Sequence, residues 1–188
     1  MRRLRARGRT ACRGLDPHHL IFLAESGLNL ALTRRYARAP RGVRAVGSVP
    51  QNYGQTLTVL AALDRNGIRA ALLVPGATNG DVFRVFLEQV LVPKLRRGDI
   101  VVLDNLSAHK VTGVAEMMAA AGAQRSYLPP YSPDYNPIEL AWSKIKNQMR
   151  TAGARTRRKL QRCLWAALRE ITPQEAQAWF RHDGYGLH

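Results

Sequence analysis

The order of β-prone runs and helical segments is the feature that most constrains the fold of this chain. Five β-prone runs occur at residues 20–23, 55–63, 68–74, 100–103 and 124–128. Asn66-Gly67 lies between the second and third runs and is a strong hairpin signal. Helical spacing follows the third run at 81–95 and the fourth run at 111–121. A hairpin followed by β-α-β-α predicts an α/β fold with a mixed sheet flanked by helices, because strands joined through helices are parallel.

The last third of the chain is predicted to be helical. Helices are expected at 136–150, at 156–169 and from 172 onward. The first of them has a clear start signal, since Asn136 is a capping residue, proline occupies the first helical position and Glu139 the third. Before the hairpin, a basic loop at 33–50 contains a further candidate strand at 43–49.

A large positive charge points to the partner. The 188 residues include 29 Lys and Arg against 13 Asp and Glu, a net charge of +16, which predicts a polyanion such as nucleic acid. No run approaches the ~20 apolar residues that span a bilayer, so a membrane partner is disfavoured. The two cysteines are too few for a disulfide framework and indicate a reducing, cytosolic setting. Residues 1–15 are predicted to form a basic N-terminal arm, and 16–188 a single domain.

Two carboxylates stand at informative positions. Asp104 directly follows the apolar run 100–103, and Glu139 opens the helix after the next strand. Because the carboxyl ends of parallel strands meet at one edge of a sheet, the two side chains are expected to lie close together. Such a pair facing a basic surface is suited to a Mg²⁺ site acting on phosphodiesters. Each residue also has a structural alternative: Asp104 as a helix cap or strand end, and Glu139 as the closing member of a capping box.

These two segments resemble a known family. VVLDNLSAHK (101–110) and LPPYSPDYNPIELAWSKIK (128–146) are similar to the second and third catalytic blocks of bacterial transposases of the insertion-sequence 630 group, in the mariner superfamily. The 34 residues between Asp104 and Glu139 match the spacing of that group. FLAESGLN, RRYARAPRG and VLVPKLRRGDIVVLDN are also similar to it, so the resemblance covers about residues 15–187.

The resemblance implies a ribonuclease H-like fold, with a mixed five-stranded sheet, and an Asp-Asp-Glu triad that holds two Mg²⁺ or Mn²⁺ ions. It implies cleavage at the ends of a mobile element and strand transfer into target DNA. By position, Asp104 is the second Asp of the triad and Glu139 is the Glu. The implied partners are element ends and target DNA, with no small-molecule substrate; a homodimer is left open. The implied location is the bacterial cytoplasm, at the nucleoid.

The first position of the triad departs from the family pattern. The family has an acidic pair after its first strand, and the ligand position of that pair is Ala24 here, followed by Glu25. Neighbouring residues of a strand point to opposite faces, so Glu25 is not expected to replace the missing ligand unless a bulge rotates it. We therefore expect this copy to be impaired in DNA cleavage.

A second departure concerns the amino end. The helix-turn-helix modules with which the family recognises element ends are not expected in this chain, because the resemblance begins at about residue 15. The domain at 16–188 is therefore interpreted as the catalytic domain alone.

Basic side chains near the candidate site are predicted to contact DNA. They are Lys144, Lys146, Arg150, Arg34, Arg35, Arg41 and His109. A general solubility role is the alternative for the basic run 144–169, and a local hydrogen bond near a helix start is the favoured alternative for His109. Tyr131 and Tyr135, in the loop before Glu139, are weaker candidates for DNA contact.

Three functions remain in view from the sequence. The first is a DDE-type transposase catalytic domain, impaired by Ala24. The second is a non-catalytic DNA-binding remnant that regulates transposition, favoured by the net charge together with the broken triad. The third, a ribonuclease or other nuclease on the same fold, is disfavoured by the proline-rich block before Glu139, which is typical of transposases.

Overall fold

The computed structural model describes residues 15–104, 113–129 and 132–186. Its strands are β1 Leu20–Leu28, β2 Leu57–Asp64, β3 Gly67–Pro75, β4 Ile100–Leu103 and β5 Gln124–Tyr127. Its helices are α1 Gly80–Phe86, α2 Val114–Ala120, α3 Pro137–Ala152, α4 Arg157–Arg169 and α5 Pro173–His182. The basic arm predicted at 1–15 falls almost entirely outside the described residues.

The strands form one mixed sheet in the order β3-β2-β1-β4-β5. The hairpin β2–β3 is antiparallel and extends the sheet through an antiparallel pairing of β1 with β2. β4 pairs with β1 and with β5 in parallel. The predicted five-stranded mixed sheet, with parallel strands in its second half, is thus confirmed. β1 is the central strand, with the antiparallel hairpin on one side and the two parallel strands on the other.

Helices cover both faces of the sheet. On one face, alternate residues of β1 such as Leu20, Phe22 and Ala24 are buried with residues of α3, α4 and α5. On the other face, Ile21 and Leu23 are buried with residues of α1 and α2. Because side chains alternate along a strand, the even-numbered residues 20, 22 and 24 of β1 pack against α3, α4 and α5, and the odd-numbered residues 21 and 23 pack against α1 and α2.

Several predicted boundaries change in the structure. β1 does not end near residue 24 but continues to Leu28, because β2 pairs with it from Phe22 onward. The strand predicted at 43–49 is wrong: this segment pairs with no strand, and Val46 is 92% exposed. α1 is shorter than predicted and continues as a π-helical turn at Leu87–Leu91 and a 3₁₀ turn at Val92–Lys94, where Pro93 has no N–H for a regular helix.

A buried charge cluster closes the end of the sheet opposite to Asp104. Arg69 in β3 bonds to Asp64 through Nε at 2.8 Å and to Asp99 through Nη1. Asp99 also accepts from the backbone N–H of Arg96 at 2.7 Å. The side chains of Asp64 and Asp99 are almost fully buried. This cluster therefore joins the hairpin to the start of β4.

Candidate active site

The parallel register of β1 and β4 places Ala24 beside Asp104. Leu23 pairs with Leu103, so the next residue of each strand is Ala24 and Asp104. Ala24 is 2% exposed and belongs to the face covered by α3, α4 and α5. Val102 lies on the same face, and by alternation Asp104 follows it there at the edge of the sheet. Asp104 is half-buried.

Glu139 lies over this edge in the first turn of α3. Its carboxyl pKa is raised, mainly because the surrounding protein removes part of its hydration, although the side chain still reaches solvent. The positive charge of Lys146 opposes this shift, and the negative charge of Asp104 adds to it. The two carboxylates predicted to converge are therefore close enough to interact electrostatically.

The structure does not support the alternative roles of these carboxylates as helix caps. Asn136 is the N-cap of α3, but its side chain makes no capping hydrogen bond and its N–H donates to the carbonyl of Pro133. Glu139 therefore closes no capping box. Gly113 is the N-cap of α2, so Asp104 does not cap that helix. Residues 105–112, between Asp104 and Gly113, lie outside the part of the chain that the structure describes.

Glu25 faces away from this site. The pairing of β1 with β2 runs without interruption from Phe22 to Leu28, so no bulge rotates residue 25. Its partner across the strand pair is Leu60, which belongs to the face covered by α1 and α2. One carboxyl oxygen of Glu25 is buried there without a hydrogen-bond partner. The described residues accordingly contain no group of three or more His, Cys, Asp or Glu arranged to hold a metal ion.

The structure separates the predicted basic residues into different environments. Lys144 donates to both carboxyl oxygens of Glu175, at 2.6 and 2.7 Å, and to the carbonyl of Glu170 at 3.1 Å. These bonds tie α3 to α5, and a DNA phosphate would have to compete with them. Lys146 is instead the cation whose charge acts on Glu139. It follows Glu139 by seven residues, or two turns, on the same side of α3.

A basic groove lies at the carboxyl end of α3. It has a volume of about 450 Å³ and is lined by residues of the loop after β1, of the last turn of α3 and of the turn that follows it, among them Arg34, Arg35, Arg150 and Arg155. Arg155, a member of the basic run 144–169, also holds the loop by donating to the carbonyls of Leu30 and Leu32. Arg41 lies exposed in the same loop and does not line the groove.

Other candidates are placed less favourably. Tyr135 is 8% exposed, so its predicted DNA contact is wrong for the side chain as it is packed here. His109 and Tyr131 lie outside the described residues. Among the helices that are described, none combines the length and the apolar character needed to span a membrane.

Solved structures share this fold. The paired-end complex of the Mos1 mariner transposase with Mn is 17% identical at a TM-score of 0.73, covering 100% of this chain and 64% of that one. The isolated catalytic domain of the same transposase is 14% identical at a TM-score of 0.54, covering 100% and 96%. The catalytic domain with Raltegravir and Mg gives 14% identity, a TM-score of 0.59, and 100% and 98% coverage. The predicted ribonuclease H-like fold is thus confirmed, and the chain spans about two thirds of the length of the Mos1 chains in the DNA complexes.

The sequence itself gives the family. No curated protein matches the chain. The sequence pattern of the DDE superfamily endonucleases, however, matches residues 19–161, which is well over half of the chain and includes both Asp104 and Glu139. The chain therefore belongs to the DDE superfamily endonuclease family.

Proposed function

We propose that this chain is the catalytic domain of a DDE transposase of the insertion-sequence 630 group, acting on DNA, with its cleavage chemistry impaired at Ala24. The proposal is supported chiefly by the register that puts Asp104 after β4 beside Ala24, together with the effect of the Asp104 charge on the pKa of Glu139 in the first turn of α3. The neighbouring structures, which are paired-end and strand-transfer complexes of Mos1, support DNA as the substrate class.

The residues at this edge fit a divalent cation only in part. Asp104 and Glu139 supply carboxylate oxygens, which are the ligands that Mg²⁺ and Mn²⁺ prefer. Ala24 supplies none at the adjacent position, and Glu25 points to the other face. Two carboxylates suit one ion better than the pair of ions of an intact family site. A cation held there would neutralise charge on a phosphodiester oxygen.

The protein's own contribution is to bind and place the DNA backbone. Lys146 lies on the side of α3 that carries Glu139. The groove with Arg34, Arg35 and Arg155 also includes Arg150, which follows Lys146 by four residues in the same helix. Guanidinium groups bind phosphate oxygens in a fixed, bidentate geometry. A strand bound along this groove would be led towards the two carboxylates. Arg41 and His109 remain predicted DNA contacts.

The structure favours one second candidate, a DNA-binding protein without cleavage activity. Its specific support is that the ligand position is a buried alanine and that no bulge brings Glu25 to the site. Such a chain would occupy DNA and compete with an active copy. A homodimer and a location at the bacterial nucleoid stay predictions under both candidates.

A plasmid-nicking assay with Mn²⁺ separates the two candidates, since it needs no recognition of element ends. The wild-type chain is expected to nick weakly if it is an impaired transposase domain and not at all if it only binds DNA. Ala24→Asp is expected to nick in a metal-dependent manner. The matched control is Ala24→Asp combined with Glu139→Gln, which should be inactive. If Ala24→Asp stays folded and binds DNA but nicks no plasmid with Mn²⁺, the triad assignment is refuted.

A further inference from the structure

We infer that Tyr185 is a positioning residue for the candidate active site, and that it fixes the start of α3 relative to β1. The inference rests on the proposed function, because it concerns the same two carboxylates. Tyr185 is 3% exposed and lies just after α5, far in sequence from Asp104 and Glu139.

The hydroxyl of Tyr185 reaches the segment that leads into α3. It donates a buried hydrogen bond of 2.7 Å to the carbonyl of Tyr135, fifty residues earlier in the chain. Tyr135 ends a short 3₁₀ turn, Pro133–Tyr135, and directly precedes the N-cap Asn136. This bond therefore holds the backbone four residues before Glu139.

The start of α3 needs such support from outside. Helix starts are commonly fixed by a side chain at the N-cap that accepts from the first turn. Thr172 does this for α5, where a complete capping box forms with Glu175. Asn136 does not do it for α3, and its Oδ1 is buried without a hydrogen-bond partner. Backbone bonds around this start run from the N–H of Tyr135 to Ser132, from the N–H of Asn136 to Pro133 and from the N–H of Glu139 to Asn136.

The ring of the same tyrosine packs against β1. Its centroid lies 4.9 Å from that of Phe22 and 6.0 Å from that of Phe180. Phe22 and Phe180 contact each other edge to face at 5.2 Å. Phe22 is two residues before Ala24 on the same face of β1. One side chain thus touches both sides of the site: β1 through its ring and the α3 entry through its hydroxyl.

Tyr185 is itself held in a fixed place. Its backbone N–H donates to the carbonyl of Phe180 at 2.9 Å, which closes the end of α5. α5 is in turn bound to α3 by the ion pair of Lys144 with Glu175. Because Tyr185 is held in place, its contacts with Phe22 and with the carbonyl of Tyr135 fix the position of Glu139 relative to the edge formed by β1 and β4.

Tyr185→Phe tests this inference, because it keeps the ring and removes only the hydroxyl. The matched control is Thr58→Val, which removes a hydroxyl of β2 that donates to the carbonyl of Gly76 at 2.6 Å. By alternation, Thr58 belongs to the face of the sheet that Leu60 and Ala62 share with α1 and α2, opposite to α3. Amide hydrogen exchange of residues 139–142 is expected to quicken about fivefold in Tyr185→Phe and to stay unchanged in Thr58→Val. Exchange in α4 should stay unchanged in both variants.

Mn²⁺ affinity gives a second readout, which loss of stability alone would not move. In the Ala24→Asp background, Tyr185→Phe is expected to weaken Mn²⁺ binding about tenfold, as the removal of groups that orient metal ligands does, while Thr58→Val leaves it unchanged. Equal effects of both variants on exchange at residues 139–142, or no effect of Tyr185→Phe, would overturn the inference. If no variant binds Mn²⁺ but exchange changes as expected, the positioning role stands and the metal assignment of the proposed function fails.

Discussion

Replacing Ala24 by aspartate makes a direct test of the site geometry. Ala24 is 2% exposed and lies between Ala61 of β2 and the position of Asp104 after β4. The new carboxylate would be buried beside Asp104, whose charge already raises the pKa of Glu139. Without metal, a buried polar group that lacks a partner costs about 1–3 kcal/mol, and like charges add to that cost. We expect Tm of the metal-free variant to fall by about 6 °C, since 1 kcal/mol corresponds to about 2–4 °C in a chain of this size.

A divalent cation should reverse this destabilisation. With Mn²⁺ at about 100 times its Kd, binding to the folded state adds about 2.7 kcal/mol, or about 8 °C. The assay is thermal unfolding by circular dichroism with and without Mn²⁺. The matched control is Ala24→Asn, which has a similar shape and no charge, and which should gain no more from Mn²⁺ than the wild-type chain does. If Mn²⁺ raises Tm equally in Ala24→Asp, in Ala24→Asn and in the wild-type chain, residue 24 does not face the cation and the geometry derived from the register is wrong.

Three further predictions concern stability and DNA binding. Arg69→Met leaves the buried carboxylates of Asp64 and Asp99 without the guanidinium that pairs with them. The free energy of unfolding measured in urea should therefore fall by about 3 kcal/mol. An unchanged urea midpoint would show that the cluster is not stabilising. Glu139→Gln should raise the metal-free Tm at pH 7 but not near pH 4. Folding raises the pKa of the Glu139 carboxyl, so its ionisation destabilises the folded state as the pH rises above the unfolded pKa. Equal changes in Tm at both pH values would contradict the raised pKa. The double variant Arg34→Gln with Arg35→Gln, in the groove, should reduce the slope of log affinity for DNA against log salt by about 0.9 for each phosphate that it no longer neutralises. The control, Arg96→Gln with Arg97→Gln near the opposite end of the sheet, should change that slope little. Equal reductions in both double variants would mean that DNA binding does not use the groove.

Local sequence signals predicted the regular elements well where those elements are stabilised locally. Ile100–Leu103 is a strand with the predicted bounds. Thr156 and Thr172 cap α4 and α5 through their own hydroxyl groups. The errors occur where a distant partner decides the outcome. β1 extends to Leu28 because β2 is there to pair with it, and 43–49 is no strand because no neighbour pairs with it.

The candidate site shows the same division. In the sequence, Lys144 and Lys146 are both candidates for DNA contact, since both are cations in the helix of Glu139. Their different partners depend on α5, which presents Glu175 to Lys144 from 31 residues away. Arg155 in the groove, and Tyr185 behind the start of α3, likewise carry no local signal that sets them apart. Their roles arise from contacts across long stretches of chain.

The sequence by itself determined the order of strands and helices, the family, the two candidate carboxylates Asp104 and Glu139, and the alanine at the first position of the triad. These follow from short-range patterns: alternation, caps, turn residues and motif spacing. Only the tertiary structure decided which face of the sheet each side chain of β1 meets, and therefore that Glu25 points away while Ala24 lies beside Asp104. It also decided which cations remain near Glu139. The physical reason is that register and packing are fixed by partners remote in sequence, and a one-residue difference in a strand reverses the direction of its side chain.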